Sequence, residues 1–149
     1  MLAMPAAAGS VAVAGAARSP GEQSITFTSK RSKSTLPLSP PLGAPFIMYL
    51  SLTDVNGSSI GDGSLFGMVV DVIPDVPPKI VVQVRTVYRL EQGEIHVSGM
   101  RVRQVPDPGH KHPLAIVGGT GAYSTARGDG TLEYSSADLS TVILRVITD

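Results

Sequence analysis

The chain reads as an all-β protein on three observations. Eight runs of residues have strand composition, turn-forming residues fill nearly every gap between them, and no window sustains a helical period for three turns. Eight short antiparallel strands in sequence suit either a closed up-and-down barrel or a two-sheet sandwich.

The elements follow in order. Ser24 to Ser29 and Phe46 to Thr53 open the series, and Asn56-Gly57 with Gly61-Asp-Gly63 separates them from Ser64 to Ile73. The prolines between Pro74 and Pro78 lead into Lys79 to Leu90, and Gln92-Gly93 bends the chain into Glu94 to Gln104. Pro106-Asp-Pro-Gly109 precedes Leu114 to Val117. Gly128-Asp-Gly130 punctuates Arg127 to Tyr134, and Leu139 to Thr148 closes the chain.

Side chains alternate between the two faces of a strand, so each run offers two rows. In Lys79 to Leu90, one row is Val82, Val84, Thr86, Tyr88 and Leu90, while Gln83, Arg85 and Arg89 fall on the other. The first row is the better interior face. By the same alternation Phe46, Met48, Leu50 and Leu52 form one inward row, and Phe66, Met68, Val70 and Val72 another. His96 shares a face with Ser98 and Met100, which places an imidazole, a hydroxyl and a thioether together toward the interior.

Leu114-Ala-Ile-Val-Gly-Gly-Thr-Gly-Ala-Tyr-Ser-Thr-Ala-Arg-Gly128 is the most informative stretch. Its first half imitates a dinucleotide-binding loop, in which glycines approach a pyrophosphate at a helix N-terminus. The imitation fails at Ser124, where a third glycine belongs, and at Thr131-Leu-Glu-Tyr134, which reads as a strand where that fold needs a helix. Only 28 residues follow Gly121, too few for the rest of a doubly wound sheet.

The Val-Gly-Gly-Thr-Gly-x-Tyr-x-x-Ala-Arg-Gly string resembles the turn between late strands of the allene oxide cyclase and dirigent barrel superfamily. Tyr88-Arg-Leu-Glu-Gln-Gly-Glu-Ile-His-Val-Ser-Gly99 is similar to the hairpin those barrels carry before that turn, and Asp62-Gly-Ser-Leu-Phe-Gly67 to the strand after a variable loop. The resemblance implies closure: an eight-stranded antiparallel up-and-down barrel with a central apolar lumen. It also implies stereochemical control without a cofactor, as in folding a reactive intermediate for ring closure. The glycine turn carries over no catalytic residue. The chain lacks the cysteine pair of secreted dirigent proteins and the acid-bearing opening strand of plant allene oxide cyclases. These departures point toward bacterial natural-product cyclases of the spirotetronate-cyclase type.

Composition narrows the field further. A chain of 149 residues is one domain by length, with 22–149 as the barrel and 1–21, rich in Ala, Gly, Ser and Pro, as a flexible segment. No Lys or Arg precedes the weakly apolar stretch near Val11, so a secretory signal is incomplete and a cytoplasmic location is expected. Twelve basic and twelve acidic residues balance, which selects neither nucleic acid nor an anionic membrane. The basic run Lys30-Arg-Ser-Lys33 reads as a solvated strand end. With no cysteine, disulfides, zinc-thiolate sites and thiol nucleophiles are excluded. No metal site is expected, because His110-Lys-His112 sits in a Pro/Gly-rich loop with only Asp107 nearby. No nucleophile elbow, HExxH helix or phosphate loop occurs.

Tyr88 is the first catalytic candidate, since a buried phenol needs a hydrogen-bond partner that a substrate can supply, and His96 is the second. Met48, Tyr49, Phe66, Met68, Val84, Thr86, Ser98, Met100 and Tyr123 are the expected substrate-binding wall. Tyr134 is expected at the rim. The expected function is a cofactor-independent cyclase or isomerase that folds a hydrophobic, polyketide-type intermediate, with 4+2 ring closure as one form. The alternatives are a dirigent-like or lipocalin-like barrel that only binds and orients a hydrophobic molecule, and a solid barrel whose faces assemble. An open lumen of several hundred Å³ favours the first two, a filled core the third. A homo-oligomer, dimer or trimer, is expected to cover apolar outer faces such as Ile143 and Ile147.

Overall fold

A computed structural model of the chain describes residues 21–104, 107 and 109–149. The segment 1–20, most of the expected flexible leader, lies outside the described residues. Eight strands follow in order: β1 (Glu22–Ser34), β2 (Pro45–Thr53), β3 (Ser59–Ile73), β4 (Lys79–Leu90), β5 (Gly93–Arg103), β6 (Lys111–Gly119), β7 (Arg127–Tyr134) and β8 (Leu139–Ile147). Each pairs antiparallel with its neighbours in sequence, and β1 pairs with β8 from Glu22 opposite Ile147 to Lys30 opposite Leu139. That last ladder closes the barrel.

The strands outrun the sequence-based bounds in informative places. β1 continues through Lys30-Arg-Ser-Lys33 because these residues pair with β2, Arg31 opposite Leu50. Gly61-Asp-Gly63 was expected as a turn and instead lies inside β3. Gly61 has φ +153°, and a Cβ there would collide with the carbonyl oxygen of Arg89 on β4, so glycine keeps the ladder intact rather than breaking it. A 3-10 turn, Gly121–Tyr123, lies between β6 and β7.

Phe27, Leu52, Val69, Ile95, Val97, Val142, Leu144 and Val146 are almost wholly enclosed in the interior. Each such side chain stabilises the fold by about 1.5–3 kcal/mol relative to exposure. Phe27 and Tyr88 meet edge to face, ring centroids 4.9 Å apart, across the middle of the lumen.

β2 and β4 present the inward rows expected of them. β3 and β5 present the opposite ones. On β3 the inward row is Gly63, Leu65, Gly67 and Val69, with Phe66, Met68, Val70 and Val72 exposed. Phe46 explains the choice: its ring lies over Gly67, where any Cβ would collide with it, so the bulky row of β3 has no room inside. On β5 the inward row is Ile95, Val97, Gly99, Arg101 and Arg103.

Gly67→Ala should therefore lower unfolding stability by about 1–3 kcal/mol through overpacking against Phe46. Ser64→Ala, on the outer face of the same strand, should stay within about 0.5 kcal/mol in the same chemical denaturation experiment.

Candidate functional site

The two ends of the barrel differ in chemistry. At one end the Gly118-Gly-Thr-Gly121 turn folds Tyr123 and Ala126 against the core, and both are buried. The other end is formed by the C-terminal halves of β1, β5 and β7 and the N-terminal halves of β2, β6 and β8. It carries Ser29, Arg31, Arg101, Arg103, Tyr134 and Ser140 around a cavity of about 30 Å³, whose apolar floor is Met48, Leu50, Leu65 and Leu132, with Tyr88 beside them. That volume holds one or two waters. Much of its wall is long, rotatable side chain.

The mouth is cationic. The side chains of Arg101 and Arg103 point inward, and each residue is only 7% exposed. Arg103 lays its guanidinium over the Tyr134 ring, 3.9 Å from the centroid, and donates to the Ala137 carbonyl at 3.4 Å. Arg101 donates to the Tyr134 hydroxyl at 3.3 Å. The Nε of each arginine is enclosed without a hydrogen-bond partner among the described residues. Burial pushes the Arg103 pKa down from its ordinary value, with Tyr134 opposing and Arg101 adding to the fall. Arg31 is the third guanidinium, and it is paired with Asp138 at 2.7 Å on the rim.

Tyr88 lies at the edge of this cavity, 1% exposed, and its hydroxyl has no hydrogen-bond partner among the described residues. Burial raises its pKa far above the ordinary phenol value, against a smaller lowering by Arg101. The group is a neutral donor at any physiological pH. It is suited to polarising a carbonyl and unsuited to removing a proton.

The β5–β6 seam completes the mouth. The ladder there has four residue pairs, ending at Ser98 opposite Ala115, against eleven between β4 and β5. Pro113, without an N–H, lies just beyond it. Asp107 sits beside this gap, its carboxylate accepting from His110 Nδ1 and His112 Nε2, each at 2.8 Å. His112 is buried and packs edge to face on Tyr134. An Asp–His–Tyr–Arg chain thus runs from the seam into the cavity.

Among the expected site residues, Tyr88, Met48, Val84 and Thr86 are on the inner wall, and Tyr134 is at the mouth. The others are elsewhere. His96, expected in the lumen, is half-buried on the outer face and pairs with Glu94 at 3.0 Å. Ser98 and Met100 share that outer face because Ile95 and Val97 take the interior. Phe66 and Met68 point outward for the reason given above. Tyr49 also faces outward, donating to Asp62, which Arg89 grips through two hydrogen bonds. Tyr123 is buried at the sealed end, far along the barrel from the mouth. Sequence reasoning missed Arg31, Arg101, Arg103 and His112. The signal that was present is the β-branched pair Ile95 and Val97, whose parity carries Arg101 and Arg103 inside with them.

Fold and site together define a closed antiparallel barrel with an apolar interior and one cationic, phenol-bearing mouth. Neither a protein-family model nor a curated protein sequence matches the chain. Solved structures do match. A pyocyanin demethylase superposes with TM-score 0.68 at 21% identity, over 83% of this chain and 99% of that one. A nonspecific heme-binding cyclase that catalyses 4+2 cycloaddition during neoabyssomicin biosynthesis gives TM-score 0.67 at 16% identity, over 85% of this chain and 65% of its own, so this chain spans just under two thirds of it. A pterocarpan synthase dirigent protein gives 0.64 at 15%, over 87% and 89%. The barrel expected from the glycine turn is the barrel observed, and its fold is shared with cyclase and dirigent proteins.

The grip of Arg89 and Tyr49 holds the Asp62 carboxyl down at about 2. A lowered folded-state pKa stabilises the fold above the ordinary carboxylate range and ceases to do so as pH falls toward 2. Carboxyl resonances followed by NMR should show Asp62 titrating near that value, and Arg89→Gln should move its midpoint up toward the ordinary range.

Proposed function

We propose that the protein is a cyclase of natural-product biosynthesis that needs no cofactor and folds a hydrophobic intermediate at the mouth of the barrel for intramolecular ring closure, 4+2 addition included. The observation that carries this reading is Tyr88: a buried, neutral phenol beside an apolar floor and a cavity. Holding two ends of one chain in near-attack geometry is worth up to about 7–11 kcal/mol in the best intramolecular reactions. A phenol donating to a carbonyl conjugated with the reacting double bond adds to this by stabilising charge that develops in the transition state. The fold shared with a 4+2 cyclase supports the reading.

Shape and one donor are the equipment such a reaction requires. Leu50, Leu65 and Leu132 form rigid wall, and Met48 is adaptable wall. The substrate gains its space by displacing long side chains at the mouth, not by entering the packed middle of the barrel. His112, not His96, is the imidazole nearest the cavity, where it orients Tyr134.

The narrow cavity favours a second reading, a barrel whose outer faces serve assembly. Ile47 on β2, Phe66 and Met68 on β3, and Met100 and Val102 on β5 are each at least 47% exposed, with Ile47 directly opposite Phe66 and the polar Gln83 and Arg85 of β4 between Met68 and Met100. The exposed apolar pair of strands β2 and β3 is suited to a contact surface. The two readings are compatible if the cyclase is a homo-oligomer built through this wall. Light scattering coupled to gel filtration should find an oligomer for the native chain and a monomer for Phe66→Glu; a monomeric native chain would remove the interface.

The catalytic reading is tested by disrupting the gene in its source and profiling metabolites by mass spectrometry. An uncyclised isomer of the normal product should accumulate. Complementation with the native gene should clear it, and Tyr88→Phe should do so about 10- to 100-fold more slowly while keeping its melting temperature. An unchanged metabolite profile would overturn the reading.

A further inference from the structure

Arg101 and Arg103 bring two positive charges into the barrel with no carboxylate within ion-pair reach. Of the acids near this end, Asp138 is taken by Arg31 and Asp107 by two histidines. The undescribed residues 1–20, 105, 106 and 108 contain no Asp or Glu that would serve instead. What holds the two guanidiniums is one tyrosine ring, its hydroxyl and one backbone carbonyl, none of them a full negative charge. Both Nε–H groups have no acceptor among the described residues.

Desolvating a guanidinium costs several kcal/mol, and a protein ordinarily recovers this with a paired carboxylate. Here only the more distant Asp107 acts on Arg103, without direct contact, and the like charges also repel. An Arg at a mouth with no partner would normally swing into water, since its stem is long and flexible. Both are instead folded back over the cavity.

We infer that the ligand of this lumen is an amphiphilic organic anion, whose carboxylate or ionised enol pairs with Arg101 and Arg103 while its apolar body lies on Met48, Leu50 and Leu65. A planar two-oxygen anion matches the fork of a guanidinium. Tyr134 stacks on one face of the Arg103 fork and fixes its plane, and His112 with Asp107 braces Tyr134 from the seam. Seated this way the anion fixes one end of the substrate, and the Tyr88 hydroxyl is left to meet a carbonyl further along it. The inference rests on the cyclase reading only in calling the ligand a substrate.

The test compares two fluorescent probes with the same aromatic frame: anilinonaphthalene sulfonate, which is an anion, and N-phenylnaphthylamine, which is neutral. The native protein should bind the sulfonate at least about tenfold more tightly, because a hydrogen bond to a charged partner is worth about 1.5–3 kcal/mol. In the double variant Arg101→Met, Arg103→Met the preference should vanish and neutral-probe binding should persist. The variant should melt no lower than the native protein without ligand, since it loses buried charge and keeps side-chain length. Equal binding of the two probes, a preference that survives in the double variant, or binding of neither probe would each overturn the inference. No arm measures turnover. An unchanged metabolite profile on gene disruption therefore removes the cyclase and leaves the anion site standing, and equal probe binding removes the anion site and leaves cyclisation of a neutral substrate.

Discussion

Closure of the β1–β8 ladder is the constraint on which the rest of the molecule depends. Once Glu22 to Lys30 pair with Leu139 to Ile147, the strands bound a fixed lumen, and every strand residue points either into it or away from it. Interior volume then has to be shared between strands. Phe46 and Tyr88 take much of it, so the facing positions on β3 are Gly67 and Gly63, while Gly128 and Gly130 on β7 lie against the β8 backbone and Leu144. The larger apolar residues of β3 are expelled to the outer wall, where they form a surface of a different kind. Packing inside and stickiness outside are two results of one division of space.

The same closure makes the two ends unequal. The glycine turn between β6 and β7 brings Tyr123 and Ala126 in as a seal, and the interior next to it is aliphatic. Toward the other end the inward rows change character, from Ile95 and Val97 to Arg101 and Arg103 on β5, and from Phe27 to Ser29 and Arg31 on β1. Polar atoms collect where the β5–β6 ladder is shortest and the barrel is easiest to spread. Buried charge without a partner destabilises the free protein, so its place beside a cavity in the lumen ties the energetics of the fold to binding.

Much of this was legible in the residues. Eight strands, their antiparallel order and closure followed from turn chemistry and from the glycine turn near the C-terminus. The inward row of β4 was legible because Gln83, Arg85 and Arg89 mark the opposite face. β3 was not, because both of its rows are apolar, and what decides between them is the Phe46 ring on the neighbouring strand. β5 misleads in a different way: its inward row of Ile95, Val97 and Gly99 also carries Arg101 and Arg103, while His96, Ser98 and Met100 share the outer face. The residues that break the ordinary rule for charge are the ones that make the mouth. Tyr88 could be found from sequence because it lies on a strand whose parity was clear. His112 could not, because a Pro/Gly-rich approach hides the start of β6.

The central claim is that ligands are received inside the mouth of the barrel and not on its apolar outer wall. The methionines separate these two places, since Met48 lines the cavity while Met68 and Met100 lie outside. Methyl spectra of methionine-labelled protein should be recorded as anilinonaphthalene sulfonate is added, using the ring current of the probe as the reporter. The expected result is a shift of the Met48 methyl with Met68 and Met100 unmoved. Movement of Met68 and Met100 with Met48 unchanged would place the ligand on the outer wall and contradict the account.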